Sequence, residues 1–332
     1  MIGTVPAPTA GVLHEFLRRN DVPAVTVVIP TRDRTELVER ALRSALAQTD
    51  VATEIIVVDD GSHPPLDPDR WSLHHNVRVI RNARSLGVSA ARNVGINAAA
   101  SPYVAFLDDD DVWAPTKLRS QIDALHEQPD ARWSAIGSLT LDADLVPVGV
   151  RMPPADANAV LAYNPIPGGG SGVLAATSFV RQLGGFNEWL GPFADWDLWI
   201  RMAMHAPLAS VEEIHMGYVL NPVGMSVETR AHESELKWIE AAYRMDRVRC
   251  DRELDLGTMY GYIVNNHRRA GRLWHATRTQ FTLAYRVRRP MLILVTLPRT
   301  LLQPGRFLPK RLRRHPANAV DISQPGWLRT IS

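Results

Sequence analysis

Four short apolar runs rich in Val and Ile lie in the first third of the chain, and this composition predicts buried β-strands. They are residues 25–29, 54–58, 77–80 and 103–107. Stretches of helical period lie between them, at residues 36–48 and 89–100. Strands and helices that alternate at this spacing are typical of a doubly wound, mostly parallel α/β sheet. Pro30 is expected to end the first strand.

Polar side chains follow three of these predicted strands, at residues 31–34, 59–62 and 108–111. Because the carboxyl ends of parallel strands meet at one edge of a sheet, we expect the three groups to converge there. The third group is a run of four aspartates, and the repulsion between their charges indicates that a cation offsets it. An isolated run would be equally typical of a solvated loop or a helix N-terminus. The convergence favours a site for a metal and a nucleotide.

The phosphate-binding motifs of other α/β proteins are absent from the sequence. No G-x-G-x-x-G motif follows the first predicted strand and no G-x-x-x-x-G-K-[ST] motif occurs, which argues against a dinucleotide-binding domain and a P-loop ATPase. Residues 168–172 are rich in glycine but lack the P-loop lysine, so we expect a flexible or closely approached loop. The 11 histidines show no H-x-x-x-H spacing, which argues against a zinc site.

Composition limits the class of protein. The 332 residues are 45% hydrophobic, enough for one large domain with an appendage or for two domains. The one cysteine, Cys250, excludes an intramolecular disulfide and fits a reducing compartment. Residues 1–20 lack the pattern of a secretory signal, and no apolar run approaches the roughly 20 residues that span a bilayer. These features predict a cytoplasmic protein.

The chain is acidic in its body and basic at its end. Residues 1–255 carry 23 Lys and Arg against 34 Asp and Glu, whereas residues 256–332 carry 14 against one. Arg286, Arg288 and Arg289 precede the apolar residues 291–297, and the basic residues 310–314 follow them. This pattern favours peripheral binding to an anionic membrane, such as the inner face of the plasma membrane. A polyanionic acceptor and solvated helix faces are the alternatives, and nucleic acid is not expected.

From about residue 228 the pattern is helical. Apolar side chains at residues 236, 239, 242 and 245 predict one helix face, and residues 259–269 and 274–286 predict two further helices. We therefore expect a small helical extension at residues 228–332, packed on the preceding domain.

Four segments in this order resemble glycosyltransferase family 2, whose members have the GT-A fold: VTVVIPTRDR at residues 25–34, IIVVDDGS at 55–62, GVSAARNVG at 87–95 and FLDDDDVW at 106–113. The resemblance covers residues 23–205 and includes GGFNE at 184–188 and DWDLWIR at 195–201. It implies a GT-A domain at residues 23–227, with a nucleotide-binding half at 23–113 and an acceptor half at 114–227. Residues 1–22 then form an N-terminal extension.

The resemblance implies an inverting, metal-dependent enzyme. Its donor would be a nucleoside-diphosphate sugar, and its acceptor a hydroxyl on a polysaccharide, a glycolipid or another cell-envelope glycoconjugate. The family's D-x-D motif maps onto Asp108, Asp109 and Asp110. Asp110 is the expected ligand of Mg²⁺ or Mn²⁺, and Asp108 the expected contact to ribose or to the metal and its water. Asp111 is expected to cap a helix or to support these residues.

The donor's base and diphosphate have implied contacts as well. Asp59 would accept a hydrogen bond from N3–H of uracil or thymine, with Asp60 beside it, which points to a UDP- or dTDP-sugar. An Asx turn is the alternative for this acidic pair. The residues implied to line the base pocket or to face the nucleotide are Pro30, Thr31, Arg32, Arg34, Arg92 and Asn93. A surface position is the alternative for Arg92.

Asp195 is the residue that the resemblance implies as the catalytic base, which takes the proton of the acceptor hydroxyl. The sequence departs from the family at Ala194, where a glutamate is usual. Asp197 is expected to act at a helix N-terminus. Trp189, Trp196 and Trp199 could stack on sugars or fill the core. Two other functions are open: a nucleotidyl- or phosphotransferase on a similar sheet, and an inactive scaffold at a membrane surface.

Overall fold

The structure, a computed structural model, describes residues 23–220, 231–287 and 325–330. In this part of the chain nine strands, β1 to β9 in chain order, form one sheet. They are Val25–Thr31, Thr53–Asp59, Val77–Arg81, Tyr103–Phe106, Val112–Trp113, Trp133–Leu141, Pro147–Arg151, Val173–Ala176 and Leu208–Val219. Their order is β3-β2-β1-β4-β8-β6-β9-β5, and β7 pairs with β6.

The α-helices of the same part, α1 to α9, confirm the predicted α/β class. They are Thr35–Leu46, Val88–Ala98, Lys117–Glu127, Thr177–Gln182, Ala194–Ala203, His232–Ala242, Arg244–Arg249, Leu256–Arg269 and Leu273–Arg286. Short 3₁₀ helices lie at Ala157–Leu161, Gly169–Gly172 and Gly326–Thr330.

The first four strands are parallel, and their carboxyl ends lie at one edge, as predicted. β1 pairs with β2 and β4, and β2 pairs with β3. Helix α2 packs closely on β1, because a Cβ atom on Gly95 would stand 2.3 Å from Cγ1 of Val28. A glycine is therefore needed where this helix crosses the strand.

The prediction that Pro30 ends the first strand is wrong, because β1 continues to Thr31. The last pair between β1 and β4 joins Val28 to Phe106, whereas the pairing with β2 continues to the end of β1. Backbone groups alternate sides along a strand, so the nitrogen of Pro30 faces the side on which β4 has already ended. Proline's missing N–H therefore costs no hydrogen bond of the sheet.

The second half of the sheet is mixed. β6 is antiparallel to β7 and β8 and parallel to β9. Trp196 and Trp199 are fully buried, and the Trp199 ring stacks on Trp133 with 6.0 Å between centroids. These two tryptophans fill the core, whereas Trp189 is 94% exposed.

The four aspartates lie between two strands that are far apart in the sheet. β4 ends at Phe106 in the middle of the sheet, and the two-residue strand β5 begins at Val112 beside β9. Val112 pairs with Gly217 of β9. The acidic run is therefore held at both ends by the sheet.

Helices α6 to α9 form the predicted helical extension. Leu236 and Ile239 of α6 are buried, but Ala242 is exposed and Met245 is 68% exposed, so the places of these two residues on the same apolar face were predicted wrongly. The cause is that α6 ends at Ala242 and a separate helix begins at Arg244. None of the described helices is long and apolar enough to cross a bilayer.

Three predictions fall outside the described residues. They are the N-terminal extension at 1–22, the domain boundary at 227/228, and the apolar and basic segments at 291–297 and 310–314. Each stays a prediction.

Candidate functional site

Asp59 and Asp60, at the end of β2, are buried and fully engaged with protein donors. The Asp59 carboxylate accepts from the backbone N–H groups of Ser62 (2.8 Å) and Leu66 (3.0 Å) and from Arg81. Its side chain has no exposed surface. The arrangement corresponds to the Asx turn that was the alternative interpretation, and it leaves no open face on Asp59 for a nucleotide base.

Asp60 accepts four hydrogen bonds that close the loop between β3 and α2. The donors are Asn82 Nδ2, Ser85 Oγ and the backbone N–H groups of Leu86 and Gly87, at 2.8–2.9 Å. Burial raises the pKa of Asp60, but these hydrogen bonds outweigh it and leave the pKa below its ordinary value. The pKa of Asp59 is lowered by the same balance.

Asp109 connects the end of β4 to the end of β1. Its carboxylate accepts from Thr31 Oγ1 at 2.8 Å and from Arg34 Nη1 at 3.1 Å. Burial raises the pKa of Asp109 to about 7, the charge of Asp110 adds to the shift, and Arg34 opposes it. The structure therefore brings two predicted residues, Thr31 and Arg34, onto the acidic run.

Asp108 and Asp110 are the members of the run with exposed carboxylates, at 28% and 17% of the side chain. Asp108 pairs with Arg92, whose side chain is only 6% exposed. Asp110 lies 3.4 Å from Arg34, and its backbone carbonyl accepts from Arg40 at 3.1 Å. Both carboxylates are thus available to solvent while arginines stand beside them.

Asp111 faces inward. Its Oδ1 accepts from the backbone N–H of Val219 in β9 at 3.0 Å. Its Oδ2 is buried and has no hydrogen-bond donor in the described part of the chain, although Ser171 lies close enough to favour its charge. Burial and the charges of Asp110 and Asp108 raise its pKa well above the ordinary value. The helix-cap alternative is wrong, since α3 begins at Lys117. Asp111 instead supports the run by joining it to β9 through Val219.

The acidic run suits a hard divalent cation in its chemistry. Among the described residues, no three His, Cys, Asp or Glu side chains already converge as a metal site. Mg²⁺, however, is usually held by one or two carboxylates together with substrate phosphates and water. The two exposed carboxylates of Asp108 and Asp110 match that number. Arg92 and Arg34 pair with the run, yet Oδ2 of Asp111 has no donor in the described part of the chain, and burial together with the charge of Asp110 still raises the pKa of Asp109.

Asp195 lies in the first turn of α5, across from the acidic run. Its carboxylate accepts from the backbone N–H of Trp196 at 2.7 Å and from Asn164 Nδ2 at 3.3 Å. Burial raises the pKa of Asp195 to about 6, while the positive charge of Arg92 opposes the shift. Asp108 also raises this pKa, so the charges of the two aspartates interact.

The glycine-rich segment passes between Arg92 and Asp195. A Cβ atom on Gly169, whose φ is +53°, would stand 3.0 Å from Asp195 Oδ2, and one on Gly170 would stand 3.2 Å from Arg92 Nη2. Ser171 Oγ accepts from the backbone N–H of Asp108 at 2.9 Å. The segment is the closely approached loop that the sequence left as one of two alternatives.

Arg92 occupies the centre of the site. It pairs with Asp108, its guanidinium carbon lies 5.0 Å from the centre of the Phe186 ring, and its charge acts on Asp195. Its Nε is buried and has no acceptor among the described residues. Arg92 is therefore a buried cation with a donor to spare, and the surface alternative is wrong.

Three predicted residues lie away from this centre. Asn93 binds the loop before α5 instead, through the backbone N–H and C=O of Phe186 and the side chain of Glu188. It faces away from Arg92 because neighbours on a helix point in different directions. Arg32 is exposed at the rim and donates to Ser85 Oγ at 3.1 Å, and Pro30 is buried in β1.

The helical extension contributes contacts that sequence reasoning missed. Glu235 of α6 accepts from the backbone N–H groups of Gly191 and Phe193, at 3.0 and 3.1 Å, directly before α5. Tyr243 donates to Asp197 at 2.5 Å, and Asp197 also pairs with Arg201. Asp197 lies in the first turn of α5, as predicted, without capping it. The signal in the sequence was an acidic residue, Glu235, on the otherwise apolar face that predicts this helix.

Comparisons with known proteins agree with this geometry. Residues 26–137 match the model of a family described as Glycosyl transferase family 2. The chain is 29% identical over 234 residues to the pre-mycofactocin glycosyltransferase of Mycobacterium tuberculosis, which covers 63% of this chain and 45% of that protein. It is 30% identical over 146 residues to the UDP-Glc:alpha-D-GlcNAc-diphosphoundecaprenol beta-1,3-glucosyltransferase WfaP of Escherichia coli, with coverage of 42% and 56%.

Solved structures show the same fold at low identity. The crystal structure of S. aureus TarS 1-349 in complex with UDP-GlcNAc matches with a TM-score of 0.54 and 16% identity, over 87% of this chain and 82% of that one. The predicted GT-A fold is confirmed. The chain spans less than half of the mycobacterial relative and about half of the E. coli relative.

Proposed function

We propose that this chain, whose residues 26–137 match the model of Glycosyl transferase family 2, transfers a sugar from a nucleoside-diphosphate donor to a hydroxyl of a cell-envelope glycoconjugate, with inversion at the anomeric carbon. The observation that carries the proposal is the position of Arg92. Its guanidinium joins the acidic run, through Asp108, to the surroundings of Asp195. A donor held on one side and a base on the other is the arrangement that inversion requires.

Asp195 serves as the base in this proposal. As the acceptor oxygen bonds to the anomeric carbon, its proton passes to the Asp195 carboxylate and the bond from the sugar to the diphosphate breaks. With a pKa of about 6 the carboxylate is mostly ionised near neutral pH. This pKa lies closer to the operating pH than that of an ordinary aspartate, which makes the carboxylate a better proton acceptor. Asn164 fixes the carboxylate from the side.

The departing diphosphate meets positive charge from the protein. Arg92 carries its charge beside Asp108 at the centre of the site, and Arg34 lies at the mouth of the acidic run. Asp108 and Asp110 would hold Mg²⁺ or Mn²⁺, which supplies further positive charge to the leaving group.

For the donor's nucleobase we propose a contact other than Asp59, because the carboxylate of Asp59 is closed off by its own turn. The nucleobase would lie at the end of β1, beside Thr31 and the exposed Arg32. A uridine or thymidine donor remains the proposal. It is supported by the UDP-Glc in the name of WfaP and by the UDP-GlcNAc bound to TarS.

The acceptor proposal rests on the relatives. WfaP is named for a sugar linked to diphosphoundecaprenol, and the mycobacterial relative for pre-mycofactocin. We propose a glycan or lipid-linked acceptor of the envelope for this chain.

A panel of UDP- and dTDP-sugars, with Mg²⁺ or Mn²⁺, tests the function. We expect slow donor hydrolysis for at least one sugar and a higher melting temperature with the matching nucleotide. In the variant Asp195→Asn, turnover should fall about 10²–10⁴-fold because the proton acceptor is lost, while the nucleotide still raises the melting temperature equally.

Asp123→Asn is the matched control, because Asp123 is an exposed aspartate paired with Arg119 on α3. It should turn over like the parent chain. Loss of nucleotide binding in Asp195→Asn would place Asp195 in the donor site instead. If no sugar nucleotide is hydrolysed or bound, the proposed function is wrong.

A further inference from the structure

The last helix of the extension presents an aromatic stripe to solvent. Trp274, Phe281 and Tyr285 of α9 are 75%, 47% and 85% exposed. At about 100° per residue they lie within roughly 40° of one another around the helix. Three of the buried residues of α9, Ala276, Thr279 and Gln280, lie on its opposite side, and the fourth, Ala284, lies between the two sides. We call the three exposed aromatic residues the α9 stripe.

The helical hairpin that carries this stripe is purely basic. Residues 256–287 contain five arginines and no aspartate or glutamate. Arg269 is exposed at the tip of the hairpin, close in sequence to Leu273 and Trp274, which are exposed as well. Arg278 lies within the stripe with 59% of its side chain exposed, 3.4 Å from Glu233. Aromatic and basic side chains therefore share one surface.

We propose that the α9 stripe lies on an anionic lipid surface, with the helix axis parallel to the membrane. Trp and Tyr favour the boundary between headgroups and acyl chains, because one part of each ring system is apolar and another is polar. Arginine adds attraction to anionic headgroups. The stripe extends about 16 Å, three turns of helix, which suits a shallow interfacial contact.

Two other occupants fit the stripe less well. A second copy packed stripe to stripe about a two-fold axis would bring Arg278 of each copy near the other, and like charges repel. The chain's own segment 288–324 carries eight Lys and Arg and one Asp, so it has the same sign of charge as the hairpin. An anionic surface is complementary to both. The inference goes beyond the proposed function, and its test needs neither donor nor acceptor.

Vesicle sedimentation with the full chain tests the inference. We expect binding to vesicles of phosphatidylglycerol and phosphatidylcholine and little binding to phosphatidylcholine alone. The triple variant Trp274→Ala, Phe281→Ala, Tyr285→Ala should lower the partition coefficient at least about tenfold. Arg269→Glu should lower binding to the anionic vesicles only. Leu73→Ala is the control, because Leu73 is 95% exposed but lies in the catalytic domain, and it should bind like the parent chain.

A second measurement does not depend on the folding of the triple variant. Lipids brominated in their acyl chains should quench part of the tryptophan fluorescence of the bound protein, and Trp274→Phe should sediment normally while losing most of that quenching. Unchanged quenching in Trp274→Phe, or unchanged sedimentation of a folded triple variant, would overturn the proposal and assign any binding to another segment. A change in oligomeric state in place of lipid binding would identify the stripe as a dimer interface and overturn it as well.

Discussion

Two acidic groups at the ends of β2 and β4, on either side of β1, have opposite electrostatics. Asp59 and Asp60 follow β2 and together accept seven hydrogen bonds from the protein, so that their pKa values fall below the ordinary range. Asp109 and Asp111 follow β4, and their pKa values are raised by burial and by the charges of their neighbours. All four side chains are buried.

The difference separates two uses of the same residue type. The first group is complete within the protein, and its charges stabilise the loops that they close. The second group accepts from Thr31, Arg34 and Val219, yet burial and the neighbouring carboxylates still raise its pKa values. This balance suits the proposed site, where a metal would add positive charge. Burial alone does not distinguish them; the number of donors does.

The largest expected effect comes from removing a carboxylate that we propose as a metal ligand. Asp110→Asn should lower kcat/KM by at least about 10²-fold and raise the metal concentration needed for half-maximal rate, with little change in melting temperature. Steady-state assays over a metal titration measure this. Full activity in excess chelator would contradict it.

The opposite outcome is expected in the complete group. Asp60→Asn should destabilise the fold by about 3 kcal/mol, because the amide nitrogen replaces one of the two accepting oxygens. In place of Oδ2 it leaves Gly87 N–H and Ser85 Oγ without that acceptor, and in place of Oδ1 it leaves Leu86 N–H and Asn82 Nδ2 without it. Urea unfolding measures it. The lowered pKa of Asp60 means that its stabilisation is present above its unfolded pKa and is lost as the pH falls through the folded value. Equal stability of the parent and the variant at pH 7 would show that the turn holds without the charge.

The pH dependence of turnover should follow Asp195. With a pKa of about 6, the rate should fall about tenfold per pH unit below that value, because only the ionised carboxylate accepts a proton. The dependence of kcat/KM on pH, which reports the free enzyme, checks this, and Asp195→Asn should lose the acidic limb. An acidic limb that persists in the variant would belong to another group.

A smaller effect is expected for Asp109. Its folded pKa of about 7 lies above its unfolded value, so its contribution to stability is fully present below the unfolded pKa and is lost as the pH rises through about 7. The stability of Asp109→Asn relative to that of the parent chain should therefore be higher at pH 8.5 than at pH 5, by about 1 kcal/mol or more. Melting temperatures of both proteins at the two pH values measure it, and a difference that does not change with pH would contradict it.

The sequence predicted the strands well where a run of Val and Ile meets a turn. β2 and β3 end within one residue of their predicted ends, since buried parallel strands read as continuous apolar runs. The predicted end of β1 at Pro30 was wrong, because the sequence does not show that β4 ends on the side of β1 that the Pro30 nitrogen faces. The predicted place of Met245 was wrong, because the break at Tyr243 serves a contact with Asp197, more than 40 residues earlier.

The candidate site was predictable as a set and less so by role. The position of the acidic run at a strand end follows from the pattern of residues 103–111. The sequence does not show that Arg81 binds Asp59, or that Thr31 and Arg34 bind Asp109, because only the fold brings these donors to the two carboxylates. Arg92 and Asn93 are adjacent in sequence, yet one lies at the centre of the site and the other secures a loop.

The attachment of the acidic run to β4 at one end and to β5 at the other has a kinetic consequence. Further contacts from Ser171 to the N–H of Asp108, and from Val219 to Asp111, hold the residues between the two strands. We therefore expect the run not to exchange between open and closed forms, so that capture of the proposed donor's diphosphate does not wait for it. In stopped-flow mixing we expect a single phase whose observed rate rises linearly with nucleotide concentration and does not level off at a fixed isomerisation rate.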